Sequence, residues 1–178
     1  VRVTYTDGGG TAEGPLTSAP TATVANVNDA PVGLPAISGT ATEDQTLTAD
    51  VSGIGDADGL GAFAYQWLRG GVAIGGATSS TYTLGDADVG AQMSVRVSYT
   101  DGGGTAEGPL TSAPTAAVAN VNDAPMGVPT ISGTASKGQT LTANTGSIGD
   151  ADGLGAFAYQ WLRDGVAIGG ATATAYLL

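Results

Sequence analysis

The chain has 178 residues, with 16 acidic and five basic side chains, a formal net charge of −11, and neither cysteine nor histidine. This charge argues against nucleic acid and anionic membranes as partners, because both are bound through clusters of Lys and Arg. The composition also excludes disulfides, thiolate metal sites and histidine-based catalysis. No segment approaches the ~18 consecutive apolar residues of a membrane span, so we expect no membrane insertion in this segment.

The sequence repeats with a period of 94 residues. Residues 28–84 recur as residues 122–178 with 42 of 57 positions identical, and residues 1–27 recur as residues 95–121 with 25 of 27 identical. A period of this length matches a small domain with its own core, so the sequence predicts a tandem array. Residues 1–27 are then the C-terminal part of one repeat, residues 28–121 a complete repeat, and residues 122–178 the N-terminal part of a third. We expect the chain to be a window onto a longer array.

Short runs of alternating apolar and polar residues, separated by Gly-rich turns, predict an all-β fold. In the complete repeat, the predicted strands in chain order are 36–38, 45–51, 62–69, 72–74, 80–84, 91–100 and 110–118. About seven strands suit a two-sheet sandwich. Alternation places Met93, Val95, Val97 and Tyr99 on one face of their strand, and Trp67 is predicted to lie in the core. The glycine run TDGGGT at residues 100–105 predicts a tight hairpin turn.

The residues YQWLRGGVAIGGATSSTYTL (65–84) and DADVGAQMSVRVSYTD (86–101) resemble the bacterial immunoglobulin-like repeats of very large secreted adhesins and biofilm proteins, including those of the repeats-in-toxin type. The resemblance implies tandem immunoglobulin-like β-sandwich domains with Trp67 on strand C and the Asp88-Val89-Gly90 corner before strand F. Ser94 stands where an immunoglobulin has its second cysteine, so the core is held without a disulfide. The NDAP sequence at residues 28–31 and 122–125 resembles the junction of bacterial cadherin-like and related adhesin repeats, where calcium often stiffens the joint.

Acidic residues concentrate in loops that such a sandwich would bring to the end where the chain enters. Calcium takes six to eight oxygen ligands, which carboxylates and backbone carbonyls supply. The candidate metal ligands are therefore Asn28, Asp29, Asp56, Asp58 and Asp101 at one joint, and Asp123, Asp150 and Asp152 in the third repeat. The alternative is that these Asp-rich loops are turns, in which Asp accepts hydrogen bonds from local amides.

The preceding repeat has acids of its own near the joint. Asp86 and Asp88 are expected to approach it from that side. Glu43 and Asp44 are not expected to be essential ligands, because the next repeat has Lys137 and Gly138 at these positions.

We expect a structural role, in which the repeats extend a bacterial cell-surface or secreted adhesin and project a distal binding domain. The partners would be neighbouring repeats of the same chain. A weak polysaccharide-binding module is one alternative, with Tyr5 and Tyr99 as the aromatics to examine. Another is a fibre subunit, in which residues 1–27 of one copy complete residues 122–178 of another by strand complementation. Catalysis is not expected, since Asp56 and Asp58 in one loop are a poor acid and base pair.

Overall fold

The computed structural model describes all 178 residues, and its regular structure consists of 14 strands and one 3-10 turn, Asp86–Asp88. The prediction of an all-β fold is confirmed. None of the helical structure has the length and hydropathy needed to cross a membrane.

The strands fall into three segments, and every strand pair lies within one of them. Residues 1–27 contain β1 (Arg2–Thr6) and β2 (Ala12–Thr17). Residues 28–121 contain β3 (Ala36–Ser38), β4 (Thr46–Asp50), β5 (Ala64–Arg69), β6 (Val72–Ala73), β7 (Thr81–Thr83), β8 (Met93–Thr100) and β9 (Ala106–Thr111). Residues 122–178 contain β10 (Thr130–Ser132), β11 (Thr140–Asn144), β12 (Leu162–Arg163), β13 (Val166–Ala167) and β14 (Ala175–Leu177).

The seven strands of residues 28–121 form two antiparallel sheets, in the orders β3-β4-β7 and β6-β5-β8-β9. The core lies between them and is centred on Trp67, which is fully buried. The Trp67 indole stacks on Tyr82 with ring centroids 5.8 Å apart, and its N–H donates to the Ser79 carbonyl at 2.9 Å. Alternation along β8 buries Met93, Val95, Val97 and Tyr99, which confirms the predicted inward face of this strand.

The predicted strand at residues 110–118 is misplaced, because the strand that pairs with β8 is β9, Ala106–Thr111, and within the predicted range only isolated bridges at Ala117 and Val118 follow it. Gly108 and Pro109 hide it in the sequence, and they are tolerated because β9 is the edge strand of its sheet. Beyond β9, two hydroxyls accept hydrogen bonds from β8: Ser112 from the Val95 amide at 3.1 Å, and Thr115 from the Met93 amide at 3.0 Å. These hydroxyls take the place of main-chain acceptors, while the Ser112 and Thr115 amides still donate to the Val95 and Met93 carbonyls at 2.9 Å.

The two terminal segments form the same elements with fewer partners. β1 and β2 form a hairpin in which every residue is exposed. In residues 122–178, the sheet β10-β11-β14 and the hairpin β12-β13 match β3-β4-β7 and the end of β5 with β6. Residues 158–161, which match the first four residues of β5, form no strand.

Candidate metal sites at the ends of the repeat

At one end of the complete repeat, the loop between β4 and β5 meets the hairpin that joins β8 and β9. The Gly102 amide donates to the Asp58 carbonyl at 3.1 Å. A side chain at Gly102 would place its Cβ 2.4 Å from that oxygen, so only glycine allows the two loops to meet this closely. The contact holds the acids of the two loops side by side.

The first acidic cluster consists of Asp56, Asp101 and Glu107, whose carboxylate oxygens lie within 4.8 Å of one another. Asp101 is only 6% exposed. Its Oδ1 accepts the Thr105 amide at 2.6 Å, whereas its Oδ2 is buried without a hydrogen-bond partner. A buried carboxylate oxygen without a donor is costly, so this arrangement favours a bound cation.

Two further contacts shape the first cluster. The Tyr99 hydroxyl donates to Asp56 Oδ2 at 2.5 Å, and burial, followed by this hydrogen bond and the charge of Asp56, raises the pKa of Tyr99. Tyr99 therefore stays protonated and serves as a fixed donor. From the linker, Asn28 Nδ2 donates to Glu107 Oε1 at 2.8 Å, which ties the entering chain to the cluster.

The second acidic cluster lies at the other end of the complete repeat and consists of Glu43, Asp123 and Asp152, again within 4.8 Å of one another. Glu43 belongs to the complete repeat, whereas the two aspartates belong to the segment that follows. Glu43 is only 2% exposed. Its Oε2 accepts the Val121 amide at 3.0 Å, and its Oε1 is buried without a partner. The cluster therefore bridges the joint between two repeats.

The linker itself buries Glu43. Thr42 and Ala119 form a parallel bridge, in which the Glu43 amide donates to the Ala119 carbonyl and the Ala119 amide donates to the Ala41 carbonyl, both at 2.9 Å. The chain that leaves the repeat thus runs alongside residues 41–43 before it reaches Val121. This path covers the Glu43 side chain.

Repulsion between carboxylates perturbs this second cluster. The Val121 amide lowers the pKa of Glu43, but the nearby Asp86 carboxyl, burial and the charge of Asp123 outweigh it and raise the pKa overall. Burial, followed by the charges of Asp86 and Asp152, raises the pKa of Asp123. Both shifts reflect burial of a carboxyl group among other acids, with no basic side chain among the causes.

The remaining predicted ligands, Asp29, Asp58 and Asp150, lie beside the clusters. The Asp29 amide donates to Asp58 Oδ2 at 2.7 Å. The equivalent Asp123 amide donates to Asp152 Oδ2 at 2.8 Å. Within the loops, the Asp58 amide donates to Asp56 Oδ1 at 2.9 Å, and the Asp152 amide donates to Asp150 Oδ1 at 3.0 Å. The same aspartates therefore stabilise turns and present carboxylates to the joint.

Asp88 does not reach the joint, contrary to the sequence-based expectation. Its carboxylate is 1% exposed and accepts Arg69 Nε at 2.7 Å, the Tyr82 hydroxyl at 3.1 Å and the Gly85 amide at 3.0 Å. These donors satisfy it inside the complete repeat. Asp86, two residues earlier, is the acid that acts on the second cluster.

Sequence reasoning missed Glu43 and Glu107. The counterpart of Glu43 is Lys137, which argues against a ligand role at this position. Glu107 lies in a segment where Gly108 and Pro109 obscure the strand pattern. The register of the hairpin, with Glu107 opposite Tyr99, was the available signal for Glu107.

Comparison of the chain with protein-family models, with curated proteins and with solved structures finds no match.

Proposed function

We propose that this chain is a run of extender repeats from a large bacterial cell-surface or secreted adhesin, which projects a distal binding domain, and that calcium stiffens the joints between repeats. The observation that carries the proposal is the second cluster. There, Glu43 of one repeat holds a buried, unpartnered oxygen next to Asp123 and Asp152 of the next. A cation at this point would connect the two repeats through their own side chains.

The donor set supports calcium among the common metals. Every candidate ligand is an oxygen, and the chain has no Cys or His for softer ions. Three carboxylates offer at most six oxygens, and Asp86 lies close enough to raise the pKa values of Glu43 and Asp123. Backbone carbonyls and water would complete the six to eight ligands that calcium takes.

The distribution of charge supports an extended array. The complete repeat has ten acidic and two basic residues, and both metal-site candidates lie at its ends rather than on its sides. Without cations, the acids of adjacent repeats repel one another across the joint. With cations bound, the same acids hold the repeats together, and an array exposed to extracellular calcium becomes stiff.

The polysaccharide-binding alternative has less support. Tyr99 is buried, and the other aromatic residues of the complete repeat are at least half-buried in its core. Tyr5 is exposed, but its counterpart in the complete repeat, Tyr99, is buried. No aromatic platform for sugar stacking is present on the complete repeat.

Calcium titration and small-angle scattering of the full chain test the proposal together. Extracellular calcium modules bind with Kd on the order of 10⁻⁴–10⁻³ M, so the titration covers the millimolar range. We expect heat of calcium binding and a larger maximum dimension with calcium than with chelator. Glu43→Gln should abolish the calcium-dependent change in dimension. The matched control Glu13→Gln, at an exposed acid outside both clusters, should retain it. Absence of calcium uptake, together with identical scattering in calcium and chelator, contradicts the proposal.

A further inference from the structure

A β-bulge turns Glu107 toward the first cluster. In a regular ladder continued from the pair of Val97 and Leu110, Gly108 would lie opposite Tyr99. The register instead shifts by one residue, so Glu107 lies opposite Tyr99. Opposite residues of an antiparallel pair share a face, so the shift moves the Glu107 side chain from the outer face of β9 to the face of Tyr99. Gly108 accommodates the bulge with a φ of 97°, and a Cβ there would lie 2.8 Å from the Val97 carbonyl oxygen.

The bulge brings a third acid to a site without a positive partner. Glu107 joins Asp56 and Asp101, with carboxylate oxygens within 4.8 Å of one another. Asp101 is 6% exposed, and its Oδ2 has no hydrogen-bond partner. The one ion pair of the chain joins Arg69 to Asp88 and includes no member of the cluster. Three carboxylates grouped around a buried, unpaired oxygen cost free energy unless a cation compensates them.

The hydrogen bonds of the cluster fix its carboxylates and leave lone pairs free. Asp56 accepts the Asp58 amide on Oδ1 at 2.9 Å and the Tyr99 hydroxyl on Oδ2 at 2.5 Å. Asp101 accepts the Thr105 amide on Oδ1 at 2.6 Å. An ionised carboxylate has about four lone-pair sites, so both acids retain sites for a metal ion.

The incoming linker contacts both the loop and the strand that supply the cluster. Asn28 Nδ2 donates to Glu107 Oε1 at 2.8 Å, and the Asp29 amide donates to Asp58 Oδ2 at 2.7 Å. The end of an asparagine side chain has one amide donor group and one carbonyl acceptor, and rotation of the amide exchanges them. Asn28 can therefore present its Oδ1 to a cation that Glu107 binds.

We infer that the first cluster binds a divalent cation, best matched by calcium, through Asp56, Asp101 and Glu107 of one repeat, with Asn28 of the linker as a fourth ligand. Three carboxylates, one amide oxygen and water provide the six to eight oxygens that calcium takes. This ion fastens the linker to the repeat that it enters, whereas an ion in the second cluster connects two repeats. The inference rests on the proposed function for the identity of the ion, but the two sites share no residue.

Calorimetric calcium titration of the full chain tests the site. We expect two ions per chain, one for each cluster, and Glu107→Gln should remove one of them. The glutamine retains an acceptor for Asn28 but lacks the charge that binds the cation. Glu13→Gln is the matched control, because Glu13 lies in the same Ala-Glu-Gly-Pro sequence, opposite Tyr5, and belongs to neither cluster. It should retain both ions.

Hydrogen exchange of linker residues 26–29 tests the fastening. Calcium should slow exchange of these amides in the unaltered chain and in Glu13→Gln, but not in Glu107→Gln. Asn28→Asp should exchange faster in chelator, because the donation to Glu107 is lost, and should bind calcium more tightly, because the site gains a charged oxygen. Asn144→Asp is the control for this change. Asn144 is exposed, its counterpart is Asp50, and its replacement should alter neither property.

The outcomes separate this inference from the proposed function. Retention of both ions by Glu107→Gln would overturn the inference, as would calcium uptake that leaves exchange of residues 26–29 unchanged. A single ion that is lost only in Glu43→Gln would also overturn it, and the proposed function would stand. Loss of one ion in Glu107→Gln, together with an unchanged calcium response in Glu43→Gln, would support the inference and contradict the proposed function.

Discussion

The main-chain amide of Val121 donates a 3.0 Å hydrogen bond to Glu43 Oε2, so the linker binds one oxygen of a buried carboxylate whose other oxygen has no donor. The half-satisfied carboxylate is positioned by the body of one repeat and faces the acids of the next. Glu43 therefore meets Asp123 of the NDAP sequence at the joint.

Replacement of Glu43 by Lys should remove the response of the joint to calcium. The matching position of the next segment is a lysine, Lys137, which is exposed there. With Kd near 10⁻³ M, about 10 mM calcium should raise the melting temperature of the unaltered chain by about 5–10 °C. The ammonium of the variant compensates Asp123 and Asp152 by itself. Differential scanning calorimetry with and without calcium measures the difference, and an unchanged calcium response in Glu43→Lys would refute the assignment.

Asp101→Asn tests the first cluster. An asparagine retains an acceptor for the Thr105 amide and replaces the unpartnered oxygen with an N–H₂ that can donate to Asp56 or Glu107. In chelator, we expect a variant at least as stable as the unaltered chain, but with a smaller gain on addition of calcium. Thermal melts in both conditions provide the measurement. A variant that is strongly destabilised in chelator would show that the Asp101 charge serves the fold alone.

The raised pKa values of Glu43 and Asp123 predict a pH dependence of stability. Between their ordinary pKa and the raised value, the folded state binds more protons than the unfolded state, so the free energy of unfolding falls as pH rises. Glu43→Gln removes the Glu43 part of this cost. Its melting temperature relative to the unaltered chain should therefore increase as the pH rises above about 4.5, the ordinary pKa of Glu, in chelator. A difference that is constant over this range would contradict the shift at Glu43.

The same linkage predicts that calcium displaces protons. Calcium binds ionised carboxylates, so binding near the raised pKa releases protons. Calorimetric titrations in two buffers with different ionisation enthalpies measure the number released. We expect more protons to be released at mildly acidic than at alkaline pH, while an equal release in both conditions would point to other groups.

Arg69→Met should destabilise the complete repeat in calcium and in chelator alike. The change leaves Asp88 buried without its 2.7 Å ion pair, although the Tyr82 hydroxyl and the Gly85 amide still donate to it. We expect a loss of about 2–3 kcal/mol in the free energy of unfolding, below the usual cost of breaking a fully buried pair because Arg69 is partly exposed. Arg96→Met, at an exposed arginine with no ion pair, is the control and should change stability by less than about 0.5 kcal/mol.

The two tryptophans provide a matched pair of core truncations. Trp67→Ala should cost about 3–5 kcal/mol, because Trp67 fills the centre of a closed core. Trp161→Ala should cost less, since Trp161 lines an open cavity of about 420 Å³ in residues 122–178, where no strands equivalent to β8 and β9 cover the core. Chemical denaturation followed by circular dichroism measures both. Equal costs would mean that the core around Trp161 is closed in solution.

The sequence predicts the architecture of the complete repeat because apolar and polar residues alternate wherever one face of a strand is buried. Met93, Val95, Val97 and Tyr99 mark β8 in this way. Alternation fails at β9, where Gly108 and Pro109 interrupt an edge strand. There, the hydroxyls of Ser112 and Thr115 take over hydrogen bonds that a longer strand would make.

The sequence predicts only some of the acidic residues in the two clusters. Motif density pointed to Asp56, Asp101, Asp123 and Asp152, which the structure places in the two clusters. Asp88 is held inside the repeat by Arg69 and Tyr82, which lie on two separate strands. The sequence around Asp88 does not predict these contacts, because they depend on the tertiary fold. Glu43 lies in the second cluster although its counterpart Lys137 argues against a ligand role at this position. In an anionic joint, a lysine also supplies the missing positive charge.

The parallel bridge between Thr42 and Ala119 has a mechanical consequence. Tension along an array pulls residues 41–43 toward the preceding repeat and residues 117–119 toward the following one. Two strands that run in the same direction are then loaded in shear, so the hydrogen bonds on both sides of Ala119 must rupture together instead of unzipping one by one. The Glu43 amide makes one of these hydrogen bonds and its carboxylate belongs to the second cluster, so an ion bound there would stabilise the same part of the chain under load.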